Sequence, residues 1–344
     1  MARQAILTEP GKIVIEDRPA PEIGPHEVLV RVLFAGICGT DLAIYSGDYP
    51  VPLPIVLGHE LSGEVERVGS EVSKEWLGRT VTAEISNTCL SYGVGHPCPA
   101  CRAGLPSHCL KRTTLGIFCA DGAFQQFVKV PAANLHALHD DLDPLAGVFV
   151  EPLAAAIQTF ELTPIREGET VVVLGAGRLG LLIMGVAHIR GARVLAVSLD
   201  KEELQRARNF GAEETCLADH PDLESSIRQW AGGLGPPVVV EATGSLGGLR
   251  TALSLVAPSG TIALKSTPGS PVDGLDATKI AVDEIRIQGS RCGPFAKAID
   301  LLWAGALPVG NLVSSIHPLG SVVDALAAAT KETKVILDCR SEQL

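Results

Sequence analysis

The sequence predicts an α/β protein in two parts, a mainly β N-terminal part followed by a doubly wound parallel sheet. Three observations predict it. Up to about residue 150, short runs alternate apolar and polar residues and are broken by Gly and Pro, the pattern of half-buried strands joined by turns. From Glu151 onward, apolar runs of strand length alternate with segments of helical periodicity, as a parallel sheet covered by helices requires. Within that second part, Gly175, Gly177 and Gly180 form G-x-G-x-x-G between one such run and one such segment.

The elements follow in order. "QAILTEPGKIVIEDRPAP" reads as two short strands around the turn Pro10-Gly11. "HEVLVRVLFAGICGTD" reads as a strand with Val28, Val30 and Val32 on one face. "LSGEVERVG" and "RTVTAEI" are further strands. "EPLAAAIQTFEL" opens a helix, with Pro152 in the first turn, where its missing N–H costs nothing. "TVVVL" is a near-continuous apolar run, suited to a strand covered on both faces. "GLLIMGVAHIRG" is helical, "RVLAVS" a strand, and "KEELQRARNFGA" an amphipathic helix ending at Gly211. "PPVVVEATG", "GTIALKST" and "EIRIQGS" continue the series, and after them come one clear helix, "PFAKAIDLLWAG", and a short tail.

Composition narrows the function classes. The 344 residues are 46% hydrophobic and 19% charged, which is globular rather than disordered. The formal charge of -11, without a basic cluster, argues against a nucleic-acid or anionic-membrane partner. No apolar run approaches the roughly 18 residues of a membrane span, and no signal core precedes the first charges. The protein is therefore expected to be soluble and cytoplasmic. Nine cysteines then call for explanation, because cytosolic thiols are more often ligands, nucleophiles or core residues than disulfides.

The glycine motif is the first chemical feature. Gly175 allows a tight turn, Gly177 lets a pyrophosphate approach the backbone, and Gly180 lets helix and strand pack closely. With Arg178 and Leu179 they open a helix whose N-terminus favours phosphate. The second strand of such a unit ends in an acid that holds the adenosine ribose. Here that position is Ser198, with Asp200 and Lys201 just after, so NAD or NADP stays open.

The cysteines supply the second. Cys98, Cys101 and Cys109 form C-x2-C-x7-C, a knuckle that brings thiolates to one tetrahedral zinc. The fourth ligand is Cys89, returned by the Gly-rich "SYGVG", or the nearer His96; Cys89 is favoured. Four protein ligands leave no open position, so this zinc is structural. Cys38, His59, Glu60 and Glu151 form a separate possible set of S, N and O donors, suited to a catalytic zinc with an exchangeable position. Cys119, Cys216, Cys292 and Cys339 lack such company and read as structural.

"GICGTD", "VLGHELSGEVERVG", "CPACRAGLPSHC", "VEPLAAA" and "VLGAGRLG" resemble, in order and spacing, the zinc-dependent medium-chain dehydrogenase/reductase family, over essentially the whole chain. Within it the chain looks most like the polyol and sugar dehydrogenase branch, which carries Glu in the "EP" pair. The resemblance implies a GroES-like β-rich catalytic domain from residues 1–152 and 291–344, and a Rossmann domain from 153–290. It implies two zinc ions per chain. Cys38 and His59 would bind the catalytic ion, with Glu60 and Glu151 as direct or water-bridged carboxylates. Thr40 would start a proton relay from the substrate, and Asp41 would fix the tautomer of His59. Two positions depart from the family pattern: the stretch between Cys89 and Cys98 is longer than usual, and Ser198 replaces the ribose acid.

The implied reaction is hydride transfer between a secondary alcohol, polyol or sugar hydroxyl and NAD or NADP. Tyr45, Asp48 and Tyr49 in "IYSGDYPVPLP" are candidates to meet substrate hydroxyls, and Arg291 to meet a substrate anion or a neighbouring acid. The alternatives are a zinc-free quinone or enone reductase of the same fold, or a non-catalytic cofactor-binding protein. The intact ligand set argues against both. The family implies a homodimer or homotetramer through the sheet edge "EIRIQGS".

Overall fold

The structure is a computed structural model that describes residues 1–267, 269 and 271–340. The chain forms two compact units. The first takes Met1–Glu151, Ile299–Ala304 and the stretch from Val309; the second takes Pro152–Ala298 and Gly305–Pro308.

The first unit is built on a sheet that is seven-stranded among the described residues. Its central strand Glu27–Gly36 pairs antiparallel with Glu60–Val68, Phe127–Pro131 and Lys334–Asp338. Val28, Val30 and Val32 are fully buried, as their alternation predicts, but Leu29 is buried too. The second face of this strand is therefore buried at Leu29 and Ala35 but half-open at Arg31 and Leu33, which a period-two pattern alone does not announce. The opening hairpin pairs Ala2–Glu9 with Lys12–Arg18 around the expected turn.

The tail holds more structure than its sequence suggests. Val313–Pro318 and Lys334–Asp338 form a parallel pair, joined through the helix Val322–Ala329, and the second strand zips onto Glu27–Gly36. The chain therefore closes its first unit with its last described strand.

The second unit is an all-parallel sheet, six-stranded among the described residues. Its order runs Ala212–Leu217, Arg193–Ser198, Thr170–Leu174, Val238–Glu241, Thr261–Leu264, Arg286–Gly289. The order reverses between Thr170–Leu174 and Val238–Glu241, the point at which such sheets bind dinucleotides. Val171, Val172 and Val173 are fully buried, as the "TVVVL" run predicts. The edge strand Ala212–Leu217 has no apolar run to announce it. Its "AEETCL" carries two exposed glutamates, which suit an edge that faces water on one side.

Candidate metal and dinucleotide sites

The strand Glu27–Gly36 runs into the helix Gly39–Ser46, and Cys38 is the residue at that helix's N-terminal end. Asp41, in the first turn, reaches back so that its Oδ2 accepts the N–H of Cys38 at 2.8 Å. Its other oxygen accepts the N–H of Gly58 at 3.1 Å. One fully buried carboxylate therefore ties the Cys38 corner to the segment that carries His59.

Gly58 has φ +94, and a Cβ there would run into the ring of Phe124. Only glycine fits both the left-handed turn and the packing, and that turn delivers His59 and Glu60 to the start of the strand Glu60–Val68. Cys38, His59 and Glu60 each offer a donor atom, all within 4.8 Å of one another. His59 Nδ1 lies 3.4 Å from Asp41 Oδ1 but off the hydrogen-bond direction, so it is a buried nitrogen without a hydrogen bond. Burial pushes the His59 imidazole down, but the carboxylate of Asp41 and the sulfur of Cys38 outweigh it and hold it well above the usual histidine range. The pocket favours positive charge. A thiol, an imidazole and a carboxylate converging in such a pocket are the donor set of a zinc site, so the residues fit the ion.

Glu60 has a partner from the far end of the chain. Its carboxylate forms an ion pair with Lys334 Nζ, which also donates to Ile37 O at 3.4 Å and lies 5.8 Å from the centre of the Phe149 ring. Both side chains are buried. Removing one member of a buried pair strands the other charge, at a cost of about 3 kcal/mol or more. Lys334→Met is therefore expected to lower Tm clearly, with partial recovery in the Lys334→Met, Glu60→Gln double variant. An unchanged Tm in the single variant contradicts the pairing.

The other predicted residues fall as follows. Thr40 is half-buried, with its Oγ1 3.8 Å from Cys38 Sγ. Glu151 lies in the first turn of the helix Val150–Leu162, outside the group of three. The Tyr45 hydroxyl donates to Gly11 O at 3.0 Å, and Asp48 accepts from Ser46 at 2.7 Å, so both make local contacts. Tyr49 is exposed. Arg291 is exposed, and its carbonyl accepts from Lys265 Nζ at 2.7 Å.

Cys89, Cys98, Cys101 and Cys109 form the second group, all buried and within 4.8 Å of one another. The sulfurs of Cys89 and Cys109 are 3.5 Å apart, and those of Cys98 and Cys109 3.7 Å. No disulfide joins them. Tetrahedral zinc with bonds of about 2.3 Å sets its sulfurs at a separation of this size. His96 is exposed and outside the group; the "SYGVG" loop returns Cys89 instead. Backbone N–H groups of Cys89, Leu110 and Lys111 donate to the sulfurs, which favours thiolates. The N–H groups of Cys101 and Leu110 hold the Cys98 thiol down at about 6, while burial and the neighbouring thiols push Cys101 up to about 12. Crowded thiolates that oppose one another's ionisation are what a divalent cation relieves. Cys119, Cys216, Cys292 and Cys339 stand apart from both groups.

In the second unit the glycine turn has the expected form. Gly175 has φ +94, and a Cβ there would come 2.7 Å from Ala242 O. A Cβ at Gly180 would collide with Gly175 O, whereas Gly177 is nearly open, at the start of the helix Arg178–Ile189. The turn is tight, the helix is close, and the backbone at Gly177 is approachable, which is what a pyrophosphate needs. Ser198 ends the neighbouring strand, and its hydroxyl donates to Glu203 Oε2 at 2.6 Å.

Residues 24–140 match the alcohol dehydrogenase GroES-like domain, and residues 179–304 match the zinc-binding dehydrogenase model. The sorbitol dehydrogenase of Bacillus subtilis (strain 168) is 30% identical over 334 residues, 95% of this chain and 93% of that protein. The L-threonine 3-dehydrogenase of the same organism is 35% identical over 282 residues, 80% of this chain and 79% of that protein. Among solved structures, one from Sinorhizobium meliloti 1021 bound to NADP has TM-score 0.90 at 30% identity, covering 98% of this chain and 99% of that one. An alcohol dehydrogenase from E. coli CFT073 complexed with NADH has TM-score 0.90 at 28% identity, with the same coverage. The chain belongs to the zinc-dependent medium-chain dehydrogenase family. It is an oxidoreductase acting on CH–OH groups, with a GroES-like domain, a Rossmann-type parallel sheet, and zinc and a nicotinamide dinucleotide as cofactors. Among the described residues no helix is long and apolar enough to cross a membrane.

Proposed function

We propose that the protein interconverts a secondary hydroxyl of a polyol or sugar with the corresponding carbonyl. The reading rests on the convergence of Cys38, His59 and Glu60 within 4.8 Å, backed by buried Asp41. The relatives named sorbitol dehydrogenase and D-xylulose reductase support a polyol substrate. When bound, zinc polarises the oxygen being oxidised or reduced, and the nicotinamide carries the hydride.

The chain's own residues do the rest. Cys38, His59 and Glu60 would hold the catalytic ion, with Glu151 as a further carboxylate, direct or through water. The negative charge of Asp41, 3.4 Å from His59 Nδ1, favours a proton on that nitrogen and so leaves the other for the ion. Lys334 holds the Glu60 carboxylate in place through their ion pair. Thr40, close to Cys38, would accept the hydroxyl proton at Oγ1 while its own proton leaves to water, the start of a relay to solvent. Cys89, Cys98, Cys101 and Cys109 hold a structural ion that ties the long loop together. Gly175, Gly177, Arg178, Leu179 and Gly180 hold the pyrophosphate, with Ser198 at the ribose end. The protein works in the cytoplasm as a homodimer or homotetramer. The edge strand Arg286–Gly289, which exposes Ile287, supports pairing with a second copy.

Metal analysis combined with nicotinamide absorbance on a panel of polyols tests this. The expected result is two zinc ions per chain and turnover of secondary hydroxyls. One zinc per chain without alcohol turnover contradicts it.

A further inference from the structure

Strands that bind NAD usually end in an acid beside the glycine turn, and here that position is Ser198. The structure nevertheless puts a carboxylate there. Glu203, in the first turn of the helix Lys201–Asn209, turns back over the strand end. Its Oε2 accepts from Ser198 Oγ at 2.6 Å. Its Oε1 would lie 3.8 Å from a Cβ built on Gly177, the residue where the phosphate turn is open. The strand end and the turn are themselves joined, since Gly175 N–H donates to Val197 O at 2.8 Å.

The nearer acid is already in use. Asp200 Oδ1 accepts the N–H groups of Glu202 and Glu203, at 2.7 Å and 3.3 Å, as the cap of its own helix. Arg206 pairs with Glu202 at 3.9 Å, and Lys201 is exposed. Residues 200–203 carry three carboxylates against one ammonium.

We propose that Glu203 supplies the missing ribose acid from the next helix, and so makes the enzyme prefer NAD to NADP. Its carboxylate accepts the ribose 2′-hydroxyl, while Ser198 anchors the other oxygen. A 2′-phosphate would instead meet a fixed negative charge at close range. Of the two structural neighbours described above, one was solved with NADP and the other with NADH. The proposal rests on the reading of the Gly175–Gly180 turn as the dinucleotide site.

Calorimetric titration of the zinc-loaded, full-length protein with NADH and with NADPH tests it. Wild type is expected to bind NADH at least about tenfold more tightly. Glu203→Gln keeps the shape and removes the charge, and should bring the two affinities within about threefold of each other. Glu203→Asp keeps the charge but withdraws it, so it should weaken NADH and still reject NADPH. Equal or tighter NADPH binding by wild type, as Arg178 holding the phosphate would give, overturns the assignment. So does an unchanged ratio in Glu203→Gln. If neither nucleotide binds, the dehydrogenase reading falls and takes this one with it.

Discussion

Cys38→Ser should reduce kcat/KM by about three orders of magnitude or more, the scale of losing several kcal/mol of charge stabilisation at the reacting oxygen. The protein should still fold. Cys38 sits at the N-terminal end of the helix Gly39–Ser46, and serine is a favourable residue at such a position. The Asp41 carboxylate bonds the backbone N–H of residue 38, so that tie survives the substitution. What is lost is the soft sulfur donor opposite His59 and Glu60. Zinc content should fall by one ion per chain while Tm stays near that of wild type. Full turnover in this variant refutes the role given to Cys38.

Cys101→Ser should do the reverse. Its sulfur is buried among three others. The partly buried hydrophobic residue packed on that group is Ala100. A structural ion contributes directly to folding, so its loss should cost at least about 4 kcal/mol locally. Thermal melting followed by circular dichroism should show a lowered or split transition. Turnover at low temperature should persist in part, since Cys38 and His59 are untouched. An unchanged Tm with two zinc ions retained contradicts a structural metal here.

The parts of this account readable from sequence are those whose chemistry depends on local spacing. Gly175, Gly177 and Gly180 lie within one turn, and Cys98 and Cys101 within one knuckle, so their geometry is set by a few backbone angles. Strands such as Thr170–Leu174 declared themselves because both faces are buried. Lys334 was silent. It comes from the last strand, 274 residues from Glu60 in sequence, and a lone lysine in "ETKVIL" reads as solvated. Glu203 was silent for another reason. In "DKEEL" it looks like an ordinary acidic first turn, and only the fold shows which way it turns. Cys89 and His96 were separable only once the loop between them had a path. The first strand of the tail was hidden because Val313–Pro318 is short and alternates half-buried and exposed residues, with no buried apolar face to announce it.

Anomalous diffraction at the zinc edge, from crystals of the purified protein, addresses the central claim most directly. The account predicts one peak within about 2.4 Å of both Cys38 Sγ and a ring nitrogen of His59, and another centred among Cys89, Cys98, Cys101 and Cys109. Density at the four cysteines, with none between Cys38 and His59, would contradict it.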